Sequence, residues 1–214
     1  DISHQLRTPL TSMNLAVSLL SKEDLSYDKR IVYSRQLKKQ LERISWLVEA
    51  LLKISKIDAG TVIFERKPQL VKDIITRAAE PFVIPMELRE IDFVLHADKE
   101  SFLGDASWCV EAFGNLIKNC LEHTAEGGRI TVTAMETALY TEIIVEDNGE
   151  GFVKEDIPYL FERFYKGQNA GETSIGIGLS LTRMILSAQE ATILAKNVPD
   201  GGASFVVRFY KQVI

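Results

Sequence analysis

Absences narrow this chain first. Only two of its 214 residues are cysteine, Cys109 and Cys120, and both fall in a stretch that reads as one helix. Eleven positions apart, they are separated by about 16 Å of helical rise, and a disulfide tolerates a Cα separation of only about 7 Å. They are therefore expected to be reduced core residues of a cytosolic protein. Three scattered histidines give no zinc spacing. No apolar run approaches the ~20 residues of a membrane span, and no signal peptide opens the chain. The start at Asp1 rather than Met leads us to expect further protein upstream. Basic residues are not in excess either: 25 Lys and Arg against 30 Asp and Glu leave a formal charge of −5, which argues against a nucleic-acid footprint.

What is present reads as a well-cored chain, 46% hydrophobic, of a length suited to two small units or one large domain. It opens on Ser3-His4-Gln5-Leu6-Arg7-Thr8-Pro9, with His4 at the head of an apolar heptad pattern. In a helix, Pro9 lacks the N–H that would bond the Gln5 carbonyl, so the turn around His4 is bent or loosened. An exposed histidine there offers a neutral imidazole nitrogen near neutral pH, as a nucleophile requires; the plainer reading is a surface histidine. Leu6, Leu10, Met13, Val17 and Leu20 follow a 4-3-4-3 spacing, repeated after a polar break by Leu37, Leu41, Ile44, Val48 and Leu51. Two such helices bury too little alone, which predicts pairing with a second copy into a four-helix bundle; the alternative is a hairpin packed on its own downstream domain.

Ala59-Gly60 should stop the second helix, and residues 61–69 read as a linker with a short extended stretch. Beyond it an α+β pattern is expected, with helices on one face of a mixed sheet. Helices are predicted over Leu70–Glu80, Ala106–His123 (capped by Asp105) and Leu179–Ser187. Strands are predicted over Ile91–His96, Arg129–Glu136, Tyr140–Glu146, Thr192–Lys196 and Ser204–Tyr210, the last two joined through Pro199-Asp200-Gly201-Gly202.

Three clusters in this second part carry chemistry. Asn115 and Asn119 lie at i, i+4 and share a helix face, with Glu122 and His123 following; amide oxygens suit a hard cation such as Mg²⁺. Asp147-Asn148-Gly149-Glu150-Gly151 ends a strand, where the glycines let backbone approach a flat ligand and the carboxylate accepts from an exocyclic amine. Ser174-Ile175-Gly176-Ile177-Gly178-Leu179 opens a helix, an arrangement of free N–H groups suited to phosphate. Each has a plainer reading: a chance Asn pair, a hairpin turn, a helix start. The glycines match neither the dinucleotide fingerprint nor a P-loop.

Taken in order with Phe161-Glu162-Arg163-Phe164-Tyr165-Lys166, these motifs resemble the H, N, G1, F and G2 boxes of the sensor histidine kinases of bacterial two-component systems. The resemblance covers nearly the whole chain. It implies a dimerisation and phosphotransfer hairpin over 1–60, a linker over 61–69, and a Bergerat-type ATP-binding α/β sandwich over 70–214. By that resemblance His4 accepts the γ-phosphoryl group of ATP and passes it to an aspartate on the receiver domain of a response regulator. Asn119 is the Mg²⁺ ligand, and Asn115 and His123 line the nucleotide beside it. Asp147 accepts from the adenine amine, and Gly149 and Gly151 make room for the ring. Phe161, Phe164 and Tyr165 pin a lid over the nucleotide, Arg163 and Lys166 reach the phosphates, and Gly176, Ile177, Gly178 and Leu179 close the lid onto the phosphate tail. The resemblance also implies a homodimer on the cytoplasmic side of a protein anchored in the bacterial cell membrane.

Two departures stand out. The family usually carries Glu or Asp directly after the histidine, whereas Gln5 can hydrogen-bond the ring but cannot act as a carboxylate base. Glu122 replaces a customary lysine, putting a carboxylate near the phosphates. Both features favour the alternative of a catalytically degenerate dimeric scaffold. Thr8, one turn from His4, matches the position that orients water for dephosphorylating the regulator.

Overall fold

The computed structural model describes residues 2–169, 176–199 and 201–211, without the side chains of Ile2 and His4. The chain divides into two compact units, Asp1–Ser55 and Lys56–Ile214.

The first unit is helical. Helix α1 (Ile2–Leu20) keeps Pro9 in its interior, and α2 (Tyr27–Asp58) runs on into the second unit. Arg30 fastens the connection between them. Its guanidinium donates to the carbonyls of Leu20 (3.2 Å), Lys22 (3.1 Å) and Leu25 (3.3 Å), so carbonyls freed at the end of α1 gain partners. Ala16, Leu47, Ala50 and Ile54 are buried. Along the expected stripes, however, Leu10, Val17, Leu41 and Val48 remain 43–51% exposed.

The second unit is the expected mixed sheet with helices on one face. Its five strands run in the order β2 (Asp92–His96), β4 (Arg129–Glu136), β5 (Tyr140–Asp147), β7 (Ala203–Tyr210) and β6 (Ala191–Asn197). Only β2 and β4 are parallel; the other three pairings are antiparallel. Helices α3 (Val71–Ala79), α5 (Ala106–His123) and α6 (Gly178–Ser187) cover the sheet. Alternation puts Ile143, Val145, Phe205, Val207 and Phe209 beneath them, where Phe102 stacks on Phe209 at 4.0 Å between ring centroids. Asp105 caps α5, its carboxylate accepting from the Ser107 N–H (3.0 Å) and the Trp108 N–H (3.2 Å), an interaction worth about 1 kcal/mol.

Three elements were not anticipated. Lys67–Leu70 (β1) pairs antiparallel with Ser101–Gly104 (β3) in a separate two-stranded sheet, and Val83–Leu88 forms a short helix, α4. Four-residue strands, one containing Pro68, show no usable alternation, so only pairing across some thirty intervening residues creates them. Residues 61–69, read as a linker, pack tightly near their end. Phe64 lies 5.5 Å from the Trp108 ring, the Glu65 N–H donates to Asp105 (2.9 Å), and Arg66 pairs with Glu190 (2.7 Å). Among the described residues no helix is long and apolar enough to cross a membrane.

Both cysteines are free and buried in α5, as their spacing requires. Burial is the main reason that the Cys109 thiol is pushed up to about 12, and it raises Cys120 well above the ordinary thiol range, with the Asp147 charge as a second cause. The thiolate is the reactive form, so both thiols stay in the protonated, unreactive form. A thiol-reactive chromophore should therefore find no reactive cysteine in the native protein at pH 8 and both in denaturant.

Candidate functional site

Asp147, Gly149, Gly151 and His123 lie together where β5 ends, β7 begins and α5 ends, and Asn115 joins α5 to the first turn of α6. Asp147, the last residue of β5, is buried. Its Oδ1 accepts from the N–H groups of Gly149 (2.9 Å) and Ala203 (3.2 Å). Its Oδ2 is equally buried and accepts from no N–H or O–H group among the described residues, while the Cys120 thiol interacts with this carboxylate from α5.

The glycines around this carboxylate are dictated by close backbone approach. A Cβ on Gly149 would lie 2.2 Å from the His123 carbonyl oxygen, and one on Gly202 would lie 1.9 Å from the Asp147 carbonyl oxygen. Gly151 (φ +75°) and Gly202 (φ +103°) are also in the left-handed region that favours glycine. Asn197, at the end of β6, grips the same loop with both ends of its amide: Oδ1 accepts from the Phe152 N–H (2.7 Å) and Nδ2 donates to the Phe152 carbonyl (2.8 Å).

On α5, the buried Asn119 Oδ1 likewise has no hydrogen-bond partner among the described residues. Asn115, one turn earlier, donates to the Gly178 carbonyl (3.4 Å), which ties α5 to the start of α6. Ile177 precedes α6 without any side-chain cap, and it is fully buried. The first-turn amides of α6, at Gly178 and Leu179, thus keep the anion-binding character of a helix N-terminus. His123 ends α5 and is half-buried. Glu122 is exposed and pairs with Lys118 at 3.8 Å, so a neighbouring cation offsets its charge.

The segment Phe161–Lys166 is held from several sides. Arg183 lies over the Phe161 ring at 5.9 Å. Phe164 adopts φ +66°, rare for a side chain of this size, and its N–H donates to the Gly176 carbonyl (2.8 Å). Gly176 (φ +77°) in turn sits so close to Tyr165 that a Cβ would lie 2.2 Å from the Tyr165 oxygen. Tyr165 donates its phenol proton to Asp156 (2.6 Å). Lys166 is exposed. Arg163 is engaged elsewhere, donating to Asp58 (2.7 Å) and contacting the Met184 sulfur (3.3 Å). Ser174 and Ile175 lie outside the described residues.

In the first unit, His4, Gln5 and Thr8 stand in the first two turns of α1, with Thr8 exposed and Gln5 half-buried. His4 and Thr8, at i, i+4, share a helix face; the His4 side chain lies outside the described residues.

This arrangement can be set beside known proteins. Residues 1–60 match the His Kinase A (phospho-acceptor) domain, and residues 104–213 match the histidine kinase-, DNA gyrase B-, and HSP90-like ATPase family. The chain belongs to the sensor histidine kinases. Among relatives of this kinase chain, the heme sensor protein HssS of Staphylococcus saprophyticus is 31% identical over 219 residues, covering 99% of the chain and 45% of HssS. The chain spans about half the length of the curated relatives it matches. The histidine kinase AdeS of Acinetobacter baumannii shares its fold with a TM-score of 0.82 at 20% identity, over 98% of both chains. So does the histidine kinase ThkA in complex with the response regulator protein TrrA, with a TM-score of 0.81 at 21% identity, over 99% of this chain and 60% of that one.

Sequence reasoning missed Asn197, Asp156 and the part played by Gly202. The Gly201-Gly202 pair was legible only as a hairpin joint, and an isolated Asn or Asp carries no local pattern. One of these close approaches yields a prediction. Gly149→Ala forces a methyl group against the His123 carbonyl and should cost about 2–3 kcal/mol of stability, seen as a thermal midpoint lowered by several degrees and a weakened affinity for ATP in titration.

Proposed function

We propose that this chain is a kinase core that autophosphorylates His4 from ATP and transfers the phosphoryl group to an aspartate of a response-regulator receiver domain. The observation that carries this reading is the pair of buried acceptors that no N–H or O–H group of the described residues satisfies, Asp147 Oδ2 and Asn119 Oδ1, in a unit of an ATPase family. An unsatisfied buried acceptor costs roughly 1–3 kcal/mol, so each oxygen suits a ligand that brings the missing partner. The first suits the exocyclic amine of adenine. The second suits a hard cation: Asn119 would hold Mg²⁺, which when bound offsets phosphate charge.

Asn115 and His123 line the same face of α5. Gly149 and Gly151 leave room for the base, while the amides at Gly178 and Leu179 and the Lys166 ammonium meet the phosphate tail. Ile177 and Gly176 anchor the far end of the lid, and Phe161, Phe164 and Tyr165 the near end. Arg163 reaches the phosphates on leaving Asp58. These groups position the nucleotide and neutralise its charge, which is most of what phosphoryl transfer asks of a protein.

An imidazole nitrogen of His4 then attacks the γ-phosphorus. The bond from that phosphorus to the β–γ bridging oxygen breaks, ADP leaves, and the imidazole releases its proton to solvent water. Gln5 orients the ring by hydrogen bonding and takes no proton. In the second transfer an aspartate carboxylate of the regulator attacks the phosphorus and the phosphorus–nitrogen bond breaks, restoring His4. Thr8, one turn along, orients water to remove phosphate from the regulator.

Residues 1–60 act as the dimerisation and phosphotransfer hairpin, 61–69 as linker and 70–214 as the catalytic domain. The exposed stripe of Leu10, Val17, Leu41 and Val48 supports a homodimeric four-helix bundle. The fold shared with ThkA, a kinase captured with its regulator, supports the partner class. Family resemblance extends the reading to a longer sensor anchored in the bacterial cell membrane, with this chain on the cytoplasmic side.

Incubation with γ-labelled ATP and Mg²⁺ should leave acid-labile label on the wild type and none on His4→Gln; label retained by the variant, or nucleotide ignored by the wild type, overturns the assignment. For the phosphatase step, Thr8→Ala should slow the loss of label from a phosphorylated regulator at least tenfold while leaving autophosphorylation measurable. Equal rates of loss would reject the role given to Thr8.

A further inference from the structure

Asp156 stands immediately before the 3₁₀ turn Ile157–Tyr159, where an aspartate side chain commonly caps the turn it begins. Here it makes no capping bond. Both carboxylate oxygens are committed instead to the far end of the following segment. Oδ1 accepts from the Tyr165 phenol (2.6 Å) and Oδ2 from the Gln168 N–H (2.8 Å). Asp156 is only 4% exposed, and the chain passes so close that a Cβ on Gly167 would lie 2.9 Å from Oδ2.

One buried carboxylate therefore grips the chain on either side of Lys166, at Tyr165 by its side chain and at Gln168 by its backbone. Lys166 is exposed between these two fixed points. Its own backbone is further restrained because Gly176 packs against the Tyr165 carbonyl and the Tyr165 ring lies 5.6 Å from Tyr159.

The bond from Tyr165, then that from Gln168, holds the Asp156 carboxyl below its ordinary value of 3.8. The same contact pushes the Tyr165 phenol up to about 12. The grip is thus intact across the physiological range. A depressed carboxyl contributes stability above its unfolded value and loses it as the pH falls through the folded one, so the grip weakens in acid below that unfolded value, and the Tyr165 bond is lost again only in strong base when the phenol ionises.

Resting on the ATP reading above, we propose that Asp156 is a positioning residue for phosphoryl transfer, a two-point clamp that presents Lys166 to the polyphosphate of the bound nucleotide. Asp147, on which the adenine end is built, is bonded instead to the Gly149 and Ala203 N–H groups. Asp156 thus governs affinity for the phosphates and leaves affinity for the base alone.

The test titrates the purified chain with Mg²⁺-ATP and, separately, with adenosine. Asp156→Asn places an amide NH₂ where one of two donors needs an acceptor, and Tyr165→Phe removes a single hydroxyl with little risk to folding. Both should weaken ATP five- to twentyfold and change adenosine less than twofold. Lys166→Ala should weaken ATP similarly, and Asp156→Asn added to it should cost less than a further twofold, because the clamp acts through that lysine. Equal losses for ATP and adenosine, additive losses in the double variant, or no loss in either single variant would overturn the clamp. A wild type that binds neither ligand would defeat the ATP reading itself, and the clamp with it.

Discussion

The architecture of the second unit turns on one buried carboxylate. Asp147 ends β5 with one oxygen bonded to two backbone N–H groups and the other left open within the protein. Holding a polar atom in that condition is unfavourable, and among the described residues no N–H or O–H group bonds to it. Gly202 lets β7 lie against the Asp147 carbonyl, Gly149 lets the following loop turn over the end of α5, and Asn197 fixes that loop from behind. Each contact depends on absent side-chain volume or on a paired amide.

The same logic, a polar group given fewer partners than it can take, recurs on α5 at Asn119 Oδ1. Asn115 is different, since its amide already engages the start of α6. The two asparagines therefore divide the work: one ties two helices together, and the other offers a lone oxygen. The Phe161–Lys166 segment follows another rule. Its polar groups are largely satisfied, by Asp156, Asp58 and Gly176.

Much of this was legible in the chain. The spacing of Asn115 and Asn119 placed them on one helix face, the Asp105 cap marked where that helix starts, and alternation identified the five strands of the main sheet. The open oxygen of Asp147 was suggested by an acidic residue followed by two glycines. What escaped were contacts between residues remote in sequence. Nothing near Asn197 signals that it will grip Phe152, forty-five positions away. Likewise, the four residues of β1 have no pattern until β3 arrives beside them. The engagement of Arg163 by Asp58 spans 105 positions and has no local trace at all.

By itself the sequence determined the elements and the order of the motifs, because helix faces, caps, alternation and glycine positions are set by interactions within a few residues. It also determined that the cysteines stay unpaired, since helical rise alone keeps them apart. Only the tertiary structure decided which polar atoms are satisfied and which are left open. Whether an oxygen finds a donor depends on what distant backbone is packed against it, and that is fixed when β7, β6 and α6 close around the end of β5.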